Sequence, residues 1–135
     1  MSFSCHVSGF GHAVPERIVT NQELSEMIDT TDEWIVERTG ISQRHIASDE
    51  ESSATLGATA AKRALEKAGI SALDLDLIIT ATCTPSGMFP STASRIQHSI
   101  GASCGAFDIN AACNGFVTAL STASQLIHSR SAERI

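Results

Sequence analysis

The sequence predicts an α/β domain with a largely parallel sheet, and three observations carry that prediction. Strand-like and helical patterns alternate along most of the 135 residues. Leu77-Ile78-Ile79 is an unbroken apolar run, the pattern of a parallel strand covered on both faces. At Cys113, a short strand pattern gives way abruptly to a helical one.

Taken in order, Val7 to Phe10 between glycines reads as an opening strand. Thr20 or Asn21 is placed to cap a helix carrying Leu24, Met27 and Ile28 on one face. Thr30 and Glu33 stand in capping-box spacing ahead of Trp34 and Ile35, and Gly40 ends that second helix. Asp49 to Ser53 is a polar loop and cap. Beyond it Leu56, Ala60, Ala64 and Ala68 recur on one helical face, with Gly69 as the stop. Leu75 to Thr82 is the apolar strand, and Thr84-Pro85-Ser86-Gly87 is a loop. Ser91 caps a helix through Ile96 and Ile100 that ends near Gly101. Phe107 to Asn110 form the next strand, and a helix follows with Phe116, Leu120, Ala123 and Ile127 on one face. Ser129 to Ile135 reads as a helix end and connector. Ile135 would then enter a further strand, so the chain is expected to be the front part of something longer.

Bulk composition narrows the function classes. The hydrophobic fraction is 42%, which suits one globular domain. A net charge of −6 and a pI near 5.2 argue against a nucleic-acid footprint or a polybasic membrane surface. No apolar run approaches a membrane span, and the N-terminus shows no basic region followed by an apolar stretch. A cytoplasmic location is the expectation. Cys5, Cys83, Cys104 and Cys113 lack C-x-x-C spacing and are expected to be free thiols. The five histidines show no metal-ligand spacing, so no metal site is expected.

The segment Phe107-Asp108-Ile109-Asn110-Ala111-Ala112-Cys113-Asn114-Gly115-Phe116 admits two readings. Small Ala111 and Ala112 permit a tight turn, and Gly115 lets the following helix approach the sheet. The result is similar to the elbow that exposes a nucleophile in other enzymes, without the G-x-S-x-G form. A thiol at a helix N-terminus faces the positive end of the dipole, which favours thiolate. The alternative is a buried, inert cysteine, the commoner fate of a free thiol.

Several segments together resemble β-ketoacyl-acyl carrier protein synthase III, the condensing enzyme that initiates type II fatty-acid synthesis. They are Val14-Pro15-Glu16 with Thr20-Asn21, then Asp29-Thr30-Thr31-Asp32-Glu33-Trp34-Ile35 running into Arg38-Thr39-Gly40-Ile41. Arg44-His45-Ile46-Ala47, Phe89-Pro90-Ser91 and the Cys113 elbow complete the set in the family's order. The resemblance implies a thiolase-like fold of two related halves. Residues 1–135 would form the N-terminal half, a mostly parallel mixed sheet with helices on both faces, and the C-terminal half would be absent. It implies a dimer, with acyl-CoA and malonyl-acyl carrier protein as substrates and no cofactor.

On this resemblance Cys113 takes an acyl group from acetyl-CoA or another short acyl-CoA, and the acyl-enzyme then condenses with malonyl-acyl carrier protein. Thr30, Trp34 and Arg38 match positions that bind the nucleotide of CoA, with Trp34 stacking on adenine. Phe89 matches a residue that lines the partner subunit's acyl pocket. As bare residues these would be a cap, a core anchor, a solvated cation and an interface phenylalanine. Asn110 and Asn114 depart from the small apolar residues common beside the family's cysteine. The family's histidine and asparagine, which stabilise the charge formed on decarboxylation, have no match, and no His-x-x-Asn segment occurs. The 135-residue chain alone is therefore expected to be inactive in condensation, with a C-terminal half in trans as a possible complement. A catalytically inactive remnant or interaction half, and a polyketide-type condensing enzyme, are the competing readings.

Overall fold

A computed structural model describes residues 4–135 and divides the chain into two compact units. One is the segment Val14–Glu51; the other joins the residues before Val14 to Ser52–Ile135.

In the Val14–Glu51 unit, β1 (Ile18–Thr20) pairs antiparallel with β2 (Gln43–His45), Ile18 opposite His45 and Thr20 opposite Gln43. Val19 is the buried residue of β1, flanked by exposed Ile18 and Thr20, the alternation of a half-buried strand. Thr20 caps α1 (Asn21–Ser25) by accepting from Glu23 N. The helix stops there, so Met27 and Ile28 lie in the turn beyond it and are exposed rather than packed on a helical face. The second helix, α2 (Asp32–Thr39), is capped by Thr31, which accepts from Trp34 N at 3.1 Å. The expected Thr30 cap is thus displaced by one residue, because Thr31 has the extended backbone that aims its hydroxyl at the first free amides. Gly40 closes the helix at φ 69°, as expected.

The centre of this unit is polar. Asn21 is 1% exposed, and its amide donates to Asp32 Oδ1 at 2.7 Å and to the Ile41 carbonyl at 2.8 Å. Its oxygen accepts from the Arg44 guanidinium, which also donates to the Val19 carbonyl. One side chain therefore joins α1, the start of α2, the loop after α2 and β2.

The other unit is built on a β-α-β crossover. β3 (Leu77–Ala81) and β4 (Gly105–Ile109) pair in parallel, Leu77 opposite Gly105 and Ala81 opposite Ile109. Between them runs α4 (Thr92–Ile100), capped by Ser91 and ended by Gly101 at φ 74°. α3 (Ser53–Ala68) starts in a capping box of Ser52 and Thr55 and packs Ala54 and Ala58 against Ile96 of α4. α5 (Gly115–His128) lies on β3 and β4. β3 is half-buried along most of its length, short of the full cover expected from its apolar run.

One expectation is revised here. Val7 to Phe10 pairs with no strand among the described residues. It lies instead against α3: a Cβ on Gly9 would stand 2.3 Å from the Ala64 carbonyl, and one on Gly11 equally close to that of Ala60. The alanine stripe at 60, 64 and 68 is small because a backbone rests on it. Phe116, Leu120 and Ala123 share one face of α5, as their spacing implied, and line an open apolar cavity of about 500 Å³ with Ile78, Ala64, Ala68 and Ile135, Phe116 and Leu120 remaining exposed to solvent. The segment before Ile135 is tied to the head of β3 by Asp76, whose amide donates to the Arg134 carbonyl and whose carboxylate accepts from Glu133 N and Arg134 N. Those two amides hold the Asp76 carboxyl below its ordinary range.

Replacing Asn21 by Ala leaves the exposed Asp32 carboxylate and the half-buried Arg44 guanidinium without their shared partner. It is expected to cost about 2–3 kcal/mol of stability in the Val14–Glu51 unit. Denaturant unfolding followed through Trp34, the single tryptophan and a member of that unit, measures this. Replacing exposed Gln22 by Ala is expected to change stability by less than about 0.5 kcal/mol.

Candidate active site

Cys113 is exposed, in a 3-10 turn (Ala112–Asn114) between β4 and α5. The turn is built as the small residues suggested. Ala111 breaks the strand at φ −136° and ψ 32°, and Ala112 follows at φ 45°, in the left-handed region that costs an L-residue about 1–2 kcal/mol. Only a residue with a minimal side chain turns there cheaply. Gly115 then opens α5 with its Cα against the sheet, where a Cβ would meet the Ala81 Cβ at 3.3 Å. The thiol therefore sits exposed at the head of α5.

Asn110 and Asn114 make long contacts at the elbow. Asn110 Oδ1 accepts from Ala112 N at 3.4 Å, and the Asn114 amide donates to Thr118 Oγ1 at 3.4 Å.

Two further anchors hold the strand before the elbow. The Asp108 carboxylate accepts from Thr92 N at 2.8 Å and Ala93 N at 2.7 Å, the first two amides of α4. Thr92 is fully buried, and its hydroxyl accepts from Ser86 N at 3.2 Å. Ser86 Oγ in turn accepts from Ala54 N at the start of α3, while Ser53 Oγ donates to the Thr84 carbonyl. The loop from Thr84 to Pro90 is thereby fastened at its root. Its tip is open: Phe89 is 88% exposed and Met88 is fully exposed. The Arg95 guanidinium donates to the Phe89 and Pro90 carbonyls beneath them.

Thr30, Trp34 and Arg38 belong to the Val14–Glu51 unit, and Cys113 and Phe89 to the other. Trp34 is 54% exposed on the first turn of α2. Arg38, one turn on, lays its guanidinium over the indole at 4.5 Å from the ring centroid and donates to the Trp34 carbonyl at 3.4 Å. Thr30 precedes the cap and borders a polar recess with Thr31, Asp32 and Ser42. Of the three residues matched to nucleotide binding, Trp34 and Arg38 are in contact.

Residues 107–135, the elbow and all that follows, match the family model for 3-oxoacyl-[acyl-carrier-protein] synthase III. The chain is 53% identical over 129 residues to the β-ketoacyl-[acyl-carrier-protein] synthase III of Chelativorans sp. (strain BNC1), spanning 95% of this chain and 40% of that protein. With the enzyme of the same name from Sinorhizobium medicae (strain WSM419) identity is 52% over 130 residues, or 96% of this chain and 40% of the relative. The fold superposes on the crystal structure of 3-oxoacyl-[acyl-carrier-protein] synthase III from Aquifex aeolicus VF5 with a TM-score of 0.89 and 47% identity, over 92% of this chain and 40% of that one. The chain belongs to the β-ketoacyl-acyl carrier protein synthase III family. It spans about 40% of the length of these relatives.

The synthase III fold is thiolase-like, and this chain is an N-terminal part of it, as the sequence implied. The priming β-ketosynthase of the R1128 polyketide pathway is also similar, with a TM-score of 0.89 and 40% identity over 94% of this chain and 38% of that one. Among the described residues, no helix is long and apolar enough to cross a membrane, and no cluster of His, Cys, Asp or Glu is placed to hold a metal ion.

Sequence reasoning passed over Asp108, Thr92 and Asn21. Asp108 carried a readable signal, since an acid between Phe107 and Ile109 in a strand needs a partner. Asn21 carried a weaker one: with Thr20 taking the cap, its own polar group is left to be explained.

Among the four cysteines, Cys113 is expected to alkylate fastest. It is exposed at a helix head, whereas burial pushes the Cys104 thiol up from its ordinary pKa, with the Asp76 charge acting in the same direction. Site-resolved iodoacetamide labelling at pH 6 checks the order, and faster labelling of Cys5 or Cys83 would overturn it. Trp34 is expected to be quenched on titration with CoA, and Arg38→Ala to weaken that binding. Unchanged emission up to millimolar CoA would remove the nucleotide reading from this pair.

Proposed function

We propose that this chain supplies the nucleophile and part of the CoA site of an initiating condensing enzyme of fatty-acid biosynthesis. The observation that carries the reading is an exposed thiol on a left-handed elbow, within the segment that matches the synthase III family model.

The Cys113 thiolate attacks the carbonyl carbon of a short acyl-CoA, acetyl-CoA being the simplest. The Cys113 backbone N–H donates to the resulting oxyanion, a class of contact whose loss costs about 2.7–4 kcal/mol in enzymes where it has been removed. The tetrahedral adduct collapses by expelling the CoA thiolate, which takes up a proton, and leaves an acyl-cysteine. Thiolate suits this step because it is both a strong nucleophile near neutral pH and a good leaving group. Trp34 stacks on the adenine while Arg38 and Thr30 contact the rest of the nucleotide. The exposed face of the indole and the adjoining guanidinium fit a flat, anionic ligand. Phe89, prominent on its loop, lines the acyl pocket of a second subunit, so the working form is a dimer.

In the second step malonyl-acyl carrier protein loses CO2. The carbanion so formed attacks the acyl carbonyl, and the Cys113 sulfur departs to leave a 3-oxoacyl product. The developing charge needs a histidine and an asparagine that none of the 135 residues matches. The chain's share of the reaction is acyl transfer. The priming β-ketosynthase of the R1128 polyketide pathway has a similar fold, which keeps the polyketide reading beside this one.

Incubating the purified chain with acetyl-CoA is expected to add one acetyl group to the Cys113 peptide by mass spectrometry, and Cys113→Ala to abolish it. With malonyl-acyl carrier protein added, no 3-oxoacyl product is expected from the 135-residue chain alone, since each lost charge-stabilising group costs on the order of 10²–10³ in rate. Failure of acetylation would overturn the nucleophile assignment. Turnover by the chain alone, lost in Cys113→Ala, would overturn the need for the histidine and asparagine.

A further inference from the structure

We propose that Asp108 and Thr92 are positioning residues that hold the Phe89 loop and the Cys113 elbow on one anchor, so that acyl-group selection and presentation of the thiol are set together. The proposal rests on the reading above, in which Cys113 receives the acyl group and Phe89 lines the acyl pocket of the second subunit, so that in the dimer each chain's anchor sets its own thiol and its partner's acyl selection.

The connection is continuous and polar. Asp108 lies in β4, five residues before Cys113, and its two carboxylate oxygens each take one of the first amides of α4. One of those amides belongs to Thr92, whose fully buried hydroxyl accepts from Ser86 N at the root of the Phe89 loop. Ser86 passes the link on to Ala54 N at the head of α3. Arg95, one turn along the same α4, donates to the carbonyls of Phe89 and Pro90. α4 thus fixes both ends of the loop, and Asp108 fixes α4 to the strand that carries the nucleophile.

Each link uses a buried or half-buried group that would be costly to leave unpaired, so the linked pieces shift as a unit. No buried side-chain nitrogen or oxygen among the described residues lacks a partner. Thr92 is the link whose chemistry can be removed with least change of shape. Valine keeps the branched outline but offers Ser86 N no acceptor, and serine restores the acceptor without the methyl.

The experiment uses the 135-residue chain with two readouts, amide exchange in the Thr84–Pro90 loop and acylation of Cys113 by acetyl-CoA against a longer acyl-CoA such as hexanoyl-CoA. In Thr92→Val, exchange at Ser86 is expected to rise about tenfold. The acetyl-to-hexanoyl rate ratio is expected to change by about threefold or more. Iodoacetamide labelling of Cys113, which needs no acyl pocket, is expected to stay within about twofold. Thr92→Ser is expected to return both loop exchange and selectivity to the parent values, and Asp108→Asn to loosen the loop as Thr92→Val does. Should Thr92→Val fail to fold, Ser86→Ala cuts the next link from a half-buried site and is expected to give the same change of selectivity.

Unchanged loop exchange in Thr92→Val, or faster exchange with an unchanged acyl ratio, overturns the proposal. So does a Thr92→Ser variant that behaves like Thr92→Val. Absence of acylation in the parent chain with every acyl-CoA instead sinks the acyl-enzyme reading. Loop exchange in Asp108→Asn then decides by itself whether the anchor exists: faster exchange supports it, and parent-like exchange overturns it.

Discussion

The unit that carries Cys113 depends on one carboxylate. Asp108 satisfies the first two free amides of α4 from the side of β4, which joins the crossover helix to the strand it feeds. A helix start leaves four amides without partners, and here a strand residue answers two of them while Ser91 answers a third. Because the anion sits at the positive end of α4, charge and hydrogen bonding act in the same sense. The elbow, the Thr84–Pro90 loop and the head of α3 are all referred to that point. Apolar packing, chiefly Ala54, Ala58 and Ile96, adds bulk but little direction.

The Val14–Glu51 unit solves a similar problem by different means. It has two three-residue strands and two short helices, too little to bury a sizeable apolar centre. Its largest fully buried side chain is an asparagine, and Val19 and Ile35 are its buried apolar residues. Hydrogen bonds from Asn21 and Arg44 take the place of a core. Trp34 is consequently free to lie outward, where in a unit of more ordinary composition it would be the first candidate for burial.

Regular elements with local signals were legible in the sequence. The Ser91 cap, the stops at Gly40, Gly69 and Gly101, and the strand-to-helix change at Cys113 are all properties of a few neighbouring residues. What escaped depends on distant partners. Val7 to Phe10 has the composition of a strand but meets a helix. β1 and β2 are too short to show a period, and pair across more than twenty residues. The thiol, the indole and the exposed phenylalanine could be named from the chain; the Asp108–Thr92–Ser86 connection could not, since nothing local says which amide a carboxylate will find.

Ala112 carries a consequence for how the elbow keeps its shape. At φ 45° a glycine would be the more comfortable residue in the folded chain. It would also give the unfolded chain more freedom to lose, about 0.5–1 kcal/mol, which offsets much of the relief from a left-handed alanine. The two residues are therefore close to equivalent in net stability and differ in stiffness. Alanine narrows the torsional range on the residue directly before the sulfur, so that thermal motion of the thiol is governed by the turn itself. A joint made this way trades ease of folding for a small angular spread, which is the quantity that decides how often a bound thioester meets its nucleophile in line.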